Sequence, residues 1–235
     1  MRVERPLLEG AFIARENRFR ARVRLGDEEV AAHVPNSGRL TELLTPERPV
    51  LLAEAGSPHR VTAYDLLMVS LPRTLVSIDA RLPNYLLSES LQAKTLPEFE
   101  GYPVVRQEVT YGDSRLDFLL EADVGKRSCL VEVKSVTLVR EGIGYFPDAV
   151  TERGARHLRE LRRASLDGRR AAVVFVIQRE DARALAPHDE SDSHFGEVLR
   201  EVVADGVEVY AYVCQVSRRE VLLQARVPVL LAKNE

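Results

Sequence analysis

With 235 residues, 45% of them hydrophobic and 29% charged, the chain has room for one large domain or two modest ones and can bury a core. No apolar run approaches the roughly 18 residues of a membrane span, and the start, MRVERPLLEGAF, lacks the apolar core and cleavage site of a secretory leader. A net charge of −3 excludes a globally basic nucleic-acid binder but hides an asymmetry. Residues 153–170 hold seven arginines (153, 156, 159, 162, 163, 169 and 170) against Glu160 and Asp167, whereas residues 179–205 hold three against eight acids. The only cysteines, Cys129 and Cys214, sit in strand-like apolar sequence, as small core residues in a reducing compartment do. A cytoplasmic protein without membrane attachment is expected.

In the first third, FIARENRFRARVRL and GDEEVAAHV bracket Gly26-Asp27, a hairpin turn signal. RPVLLAEA, RVTAYDLLMVSL and TLVSIDA follow as strands, parted by Gly56-Ser57-Pro58 and Pro72. About five short strands in this span predict a small OB-like β-barrel. Within it, RENRFRARVR spaces Arg15, Arg18, Arg20, Arg22 and Arg24 along the chain with Phe19 interleaved. A barrel face that binds single-stranded nucleic acid has this pattern, and so has an edge strand guarded by charge. In VPNSGRLTELL, the backbone amides of the Asn36-Ser37-Gly38 turn, with Arg39, suit a phosphate nest; a plain tight turn reads the same.

The rhythm changes near Leu82-Pro83, which divides an OB-like domain (1–82) from a second domain (83–235). In LPNYLLSESLQAKTL, Leu87 and Leu91 share a helical face. VVRQEVTY, SRLDFLLEA and SCLVEVKSVTLV read as strands. TERGARHLRELRRASL reads as a helix capped by Asp148 or Thr151, with Val150, Leu158 and Leu161 on one face. AAVVFVIQ has the continuous apolar character of a strand covered on both sides. The acidic APHDESDSH, with His188, Asp189, Asp192 and His194, reads as a flexible loop before it reads as a metal site. The helix GEVLREVVADG and the strand VEVYAYVCQV close an α/β arrangement with a mixed sheet flanked by helices.

The chemistry concentrates in CLVEVKSVTL, where Glu132 and Lys134 stand on one face of an apolar strand. If the preceding turn is centred between Val124 and Gly125, residues whose numbers sum to 249 face each other, which sets Asp117 opposite Glu132 and Arg115 opposite Lys134. Opposed side chains have Cβ atoms about 4.5–5.5 Å apart. Two carboxylates so close repel unless a cation lies between them, and an oxygen-rich pair suits Mg²⁺ or Mn²⁺. Lys134 would then stand beside an attacking nucleophile and neutralise developing charge. A cross-strand ion pair on a wet face is the plain alternative, against which the apolar character of the strands argues. Thr151, Arg153 and His157 open the next helix, with Arg153 and His157 at i, i+4, and are expected to meet phosphates; His157 lacks a second His at ligand spacing.

Four strings carry a family resemblance: VPNSGRL (34–40), SRLDFLL (114–120), VEVKSVTL (131–138) and GYFPDAVTERGARHLREL (144–161). Asp117 with Glu132-Val133-Lys134 resembles the core of the PD-(D/E)XK nuclease superfamily. The strings together resemble the sugar fermentation stimulation protein family, described as DNA-binding and linked to maltose metabolism. The resemblance covers nearly the whole chain and implies an OB-like N-terminal barrel and a PD-(D/E)XK-like mixed sheet flanked by helices. It places Asp117, Glu132 and Lys134 at the catalytic signature, with Asp117 and Glu132 as metal ligands, and offers Glu89 in YLLSESL as a further acid on the preceding helix. Leu116-Asp117 stands where Pro-Asp is usual. The implied partner is DNA, single-stranded or duplex, met largely through phosphates by Arg115, Thr151, Arg153, His157, Asn36 and Arg39, with a regulatory role in sugar metabolism. An active Mg²⁺- or Mn²⁺-dependent nuclease acting on single-stranded or structured DNA is the alternative.

Overall fold

The computed structural model describes residues 1–56, 60–122, 125 and 127–232. The stretch FIARENRFRARVRL, expected as one strand, is two: β1 (Leu7–Asn17) and β2 (Arg20–Leu25). The side chain of Asn17 accepts a hydrogen bond from the Phe19 amide at 2.9 Å, an Asx turn that reverses the chain without glycine. β3 (Glu28–His33), β4 (Pro49–Glu54), β5 (Tyr64–Ser70) and β6 (Leu75–Ser77) follow. The order β3-β2-β1-β4-β5 is closed by parallel β3–β5 pairing, and β6 lies outside on β5. The N-terminal unit is therefore a closed five-stranded barrel, filled by Phe12, Val23, Val34, Leu52 and Leu66 among others. Gly10 is required where β1 crosses: a Cβ there would meet Val23 at 2.7 Å and the Arg24 carbonyl at 2.8 Å.

Helix α1 (Leu82–Gln92) leads into β7 (Val104–Tyr111), β8 (Ser114–Glu121) and β9 (Cys129–Val136). The proposed turn centre at Val124 lies outside the described residues. A short sheet of β10 (Val139–Arg140), β11 (Ile143–Phe146) and β13 (Ala184–Pro187) was not foreshadowed by any periodic signal. Helix α2 (Glu152–Leu166), β12 (Arg170–Ile177), helix α3 (Asp189–Ala204), β14 (Glu208–Val216) and β15 (Val221–Val227) complete the chain. The main sheet runs β15-β14-β12-β9-β8-β7, with β12 parallel to both neighbours and the other pairs antiparallel.

Both faces of this sheet are covered, which explains the unbroken apolar run of β12. On one face Leu158 and Leu161 of α2 and Phe195 and Leu199 of α3 pack on Leu130, Val173 and Phe175. On the other, Leu86, Leu87 and Leu91 of α1 pack on Val131, Val133 and Val174, joined by Leu51 and Met68 from the barrel. Both cysteines are buried, and burial pushes their thiols up to about 12, which makes them packing groups.

Two local expectations need correction. Val150 is 67% exposed and precedes the helix, so the buried α2 face belongs to Leu158 and Leu161 without it. The acidic stretch is no loop: β13 runs to Pro187 and α3 begins at Asp189. Asp192 is buried where α3 kinks, accepting from the Phe195 amide at 3.0 Å and the Thr151 amide at 2.8 Å. Its carboxylate thus caps the rest of α3 and anchors the start of α2. Among the described residues no helix is long and apolar enough to cross a membrane.

Candidate active site

The β8–β9 ladder pairs Phe118 with Val131, Leu119 with Leu130 and Leu120 with Cys129, each summing to 249. Pairing stops one residue short of Asp117 and Glu132. At that point the Val133 amide is satisfied by a carboxylate oxygen of Asp117, at 2.7 Å. The strands part where the two acids meet. Arg115 is consequently not held opposite Lys134; its guanidinium is exposed and pairs with Glu108 at 3.3 Å.

Glu132 is 3% exposed and faces α2. One oxygen, Oε1, accepts from the Lys134 ammonium at 2.5 Å and contacts Nδ1 of His157, itself buried. His157, expected at a phosphate, instead fixes Glu132, because its position in α2 turns it inward while Arg153 points to solvent. The other oxygen, Oε2, is buried and meets no hydrogen-bond donor. Burial alone would raise the Glu132 carboxyl, but Lys134 and His157 outweigh it and hold it below the usual carboxylate range.

Asp117 shows the opposite balance. Burial and the neighbouring Glu132 charge push its carboxyl up, despite the bonds from the Val133 amide and from Asn84 Nδ2 at 2.7 Å. Asn84, in the first turn of α1, is the residue that sequence reasoning missed. Its signal was a polar side chain at i−3 and i−7 from Leu87 and Leu91, on the buried face that also carries Ser88. Glu89, expected as the acid from this helix, is not brought to the site. Its side chain is 61% exposed and pairs with the Met1 ammonium at 3.0 Å, and it lines a separate hollow of about 790 Å³ with Arg2, Arg81 and Tyr85.

Lys134 lines a second, smaller cleft of about 340 Å³, between the barrel loop around Asn36-Ser37-Gly38 and the segment Tyr145–Thr151. The expected phosphate nest is already filled from within the chain. The Gly38 amide donates to the Asn36 side chain at 2.7 Å, and the Arg39 amide donates to Asp148 at 2.7 Å. Asn36 also donates to the Ile78 carbonyl at 2.9 Å, so it is a buried strut and not a surface contact. Arg15 completes the loop by donating to the carbonyls of Arg18, Asn36, Gly38 and Arg39. The cap of α2 is Thr151, whose hydroxyl accepts from the Gly154 amide at 3.0 Å; the other candidate, Asp148, is spent on the barrel loop. The side chains of Arg39 and Arg153 remain exposed.

Asp148→Ala is expected to hand the exposed Arg39 amide to water, at a cost of about 0.5–1.5 kcal/mol. Leu40 holds a left-handed φ of 53° beside it, so the loop has strain to release. Amide hydrogen exchange at Arg39 reads the effect: faster exchange in the variant is expected, and unchanged protection would show that Asp148 does not hold the loop.

The site suits a hard divalent cation. The donor-less Glu132 Oε2 and the mutual repulsion recorded in Asp117 are both relieved by a positive charge between the acids. Among the described residues no group of three acidic, His or Cys side chains is placed to hold a metal ion, so a cation here would take two carboxylates and fill its shell with backbone oxygen or water, as Mg²⁺ commonly does.

Residues 81–220 match the model of the sugar fermentation stimulation protein RE domain, and residues 13–78 that of the SfsA N-terminal OB domain. A sugar fermentation stimulation protein homolog from Moorella thermoacetica is 49% identical over 226 residues, spanning 96% of this chain and 97% of its own. One from Thermoanaerobacter sp. (strain X514) is 44% identical over 232 residues, spanning 98% and 100%. The structure of Pyrococcus furiosus SfsA in complex with Ca²⁺ superposes with a TM-score of 0.89 at 31% identity, covering 98% of each chain.

Proposed function

We propose, from the premise that this chain belongs to the sugar fermentation stimulation protein family, that it binds DNA with little regard to sequence and holds Mg²⁺ or Mn²⁺ between Asp117 and Glu132. The observation that carries the reading is the buried, donor-less Oε2 of Glu132 beside a second carboxylate and a buried ammonium. In this reading His157 and Lys134 fix the Glu132 carboxylate, Asn84 and the Val133 amide fix Asp117, and the exposed Arg39, Arg115 and Arg153 meet phosphates. Contacts to phosphate position a strand without reading it. The Pyrococcus furiosus relative was solved in complex with Ca²⁺, which supports a divalent cation as the ligand class. A regulatory role in sugar metabolism would be exercised through such binding.

A second reading, hydrolysis of a phosphodiester, is favoured by Lys134. An ammonium is costly to bury, and this one lines the cleft while its charge is held by Glu132. A bound cation would supply Lewis-acid polarisation and a more acidic water; Lys134 would hold compensating positive charge at the scissile phosphate.

The test is incubation with single-stranded, duplex and branched DNA in Mn²⁺ or Mg²⁺, wild type beside Asp117→Asn. Cutting by the wild type alone supports hydrolysis; equal cutting by both assigns it to a contaminant, and binding without cutting leaves the first reading. Arg153→Ala is expected to weaken binding similarly for all sequences and to flatten the salt dependence by about one unit; an unchanged slope would remove Arg153 from the interface.

A further inference from the structure

Of the seven phenylalanines, six are buried or half-buried and Phe19 alone is exposed, at 48%. It stands at the tip of the β1–β2 hairpin, where its ring lies against His33 at 6.3 Å between centroids and 29° between planes. The tip is tied down on every side. The Phe19 amide donates to Asn17, its carbonyl accepts from the Val34 amide at 2.9 Å, and the same carbonyl meets His33 Nδ1 at 3.1 Å. Arg15 fixes the preceding carbonyl, that of Arg18, at 2.5 Å. An aromatic face is thus presented to solvent on a backbone that has already lost its freedom.

Arg18, the preceding residue, lines the cleft that reaches Lys134. That cleft, about 340 Å³, lies near the lower end of the 300–1,000 Å³ typical of small-molecule pockets. Its barrel wall is tied to the opposite wall by Asp148. A pocket of that order takes a ligand unit about the size of one nucleotide.

We propose that Phe19, backed by His33, is a stacking platform for an unpaired base, and that Arg18 takes the adjoining phosphate, so that DNA passes the cleft as a single strand. Stacking on an aromatic face tolerates any base, and the arginine contributes charge without sequence preference. The proposal rests on the DNA-binding reading above and narrows its substrate class.

The chain contains no tryptophan, so Phe19→Trp places a sole indole on the platform. Its fluorescence is expected to be quenched by a single-stranded oligonucleotide and left unchanged by a blunt duplex of the same sequence. In parallel, Phe19→Ala is expected to bind the single strand roughly tenfold more weakly, the scale of one lost stacking partner. Because Phe19 lies outside the core, the alanine variant should keep the wild-type unfolding midpoint, which calorimetry verifies. Single-strand affinity unchanged in Phe19→Ala, or equal quenching by the duplex, would overturn the platform while leaving the DNA-binding reading in place. A wild-type protein that binds neither DNA would overturn both.

Discussion

Glu132→Ala is expected to destabilise the fold by about 3–5 kcal/mol, the cost typical of breaking a buried ion pair from one side. The substitution leaves the Lys134 ammonium, whose side chain is 10% exposed, without its counter-charge, and strips His157 of its Nδ1 partner. Urea unfolding reads the loss as a lower midpoint at unchanged slope. Replacing both charges with apolar residues of similar volume, Glu132→Leu with Lys134→Met, should recover most of it, since a buried pair often contributes little beyond an apolar isostere. A wild-type midpoint in Glu132→Ala would mean that Lys134 reaches water after all. The pH window follows from the depressed Glu132 carboxyl. Its contribution is fully present above the unfolded-state carboxylate pKa and is lost as pH falls through the lower folded value. Acid unfolding of the doubly apolar variant should therefore be shallower there. Glu132→Ala is accordingly a poor control in the cutting assay, because any loss of cutting would coincide in it with loss of fold.

Asp117→Asn is expected to do the reverse: stabilise the protein at neutral pH and abolish cation binding. Burial and Glu132 raise the Asp117 carboxyl, so its protonated form is favoured by folding, and that contribution is lost as pH rises through the folded value. The neutral amide removes the repulsion while its oxygen still accepts from the Val133 amide, and Asn84 can turn its own amide to match. A gain on the order of 1 kcal/mol corresponds to roughly 2–4 °C in Tm for a chain of this size. Calorimetric titration with Mn²⁺ should find no site in the variant. In the wild type, affinity should fall as pH drops through the raised Asp117 value, as protons compete for the carboxylate. A variant that melts lower than wild type at neutral pH would refute the assigned repulsion.

Much of the scaffold around these two acids was legible beforehand because it obeys short-range rules. Strand alternation and turn arithmetic bring β8 and β9 together at a sum of 249, and the apolar run of β12 announces a strand covered on both faces. Other features were hidden by distance or by local disguise. The Asp148 contact with Arg39 joins residues 109 apart in the chain and leaves no periodic trace. Asn84 is, with Ser88, one of two polar side chains on a largely apolar helix face, indistinguishable from a tolerated imperfection until Asp117 is placed against it. Glu89 satisfied the pattern of an acid on the right helix, yet it turns to the Met1 ammonium. The start of α3 read as a loop because its acids are loop formers by propensity, and burial of Asp192 reverses that preference.

The carboxylate that ends the β8–β9 ladder bears on descent as well as chemistry. Asp117 satisfies the amide that its own strand abandons, so the backbone demands an oxygen acceptor at this position whether or not any cation is ever bound. Selection for the proposed cation site and selection for a satisfied strand would be superimposed on one residue and would differ only in the charge they require. A descendant released from the first would still be held by the second. It would be recognised by asparagine at position 117, with alanine there excluded for as long as β9 kept its place.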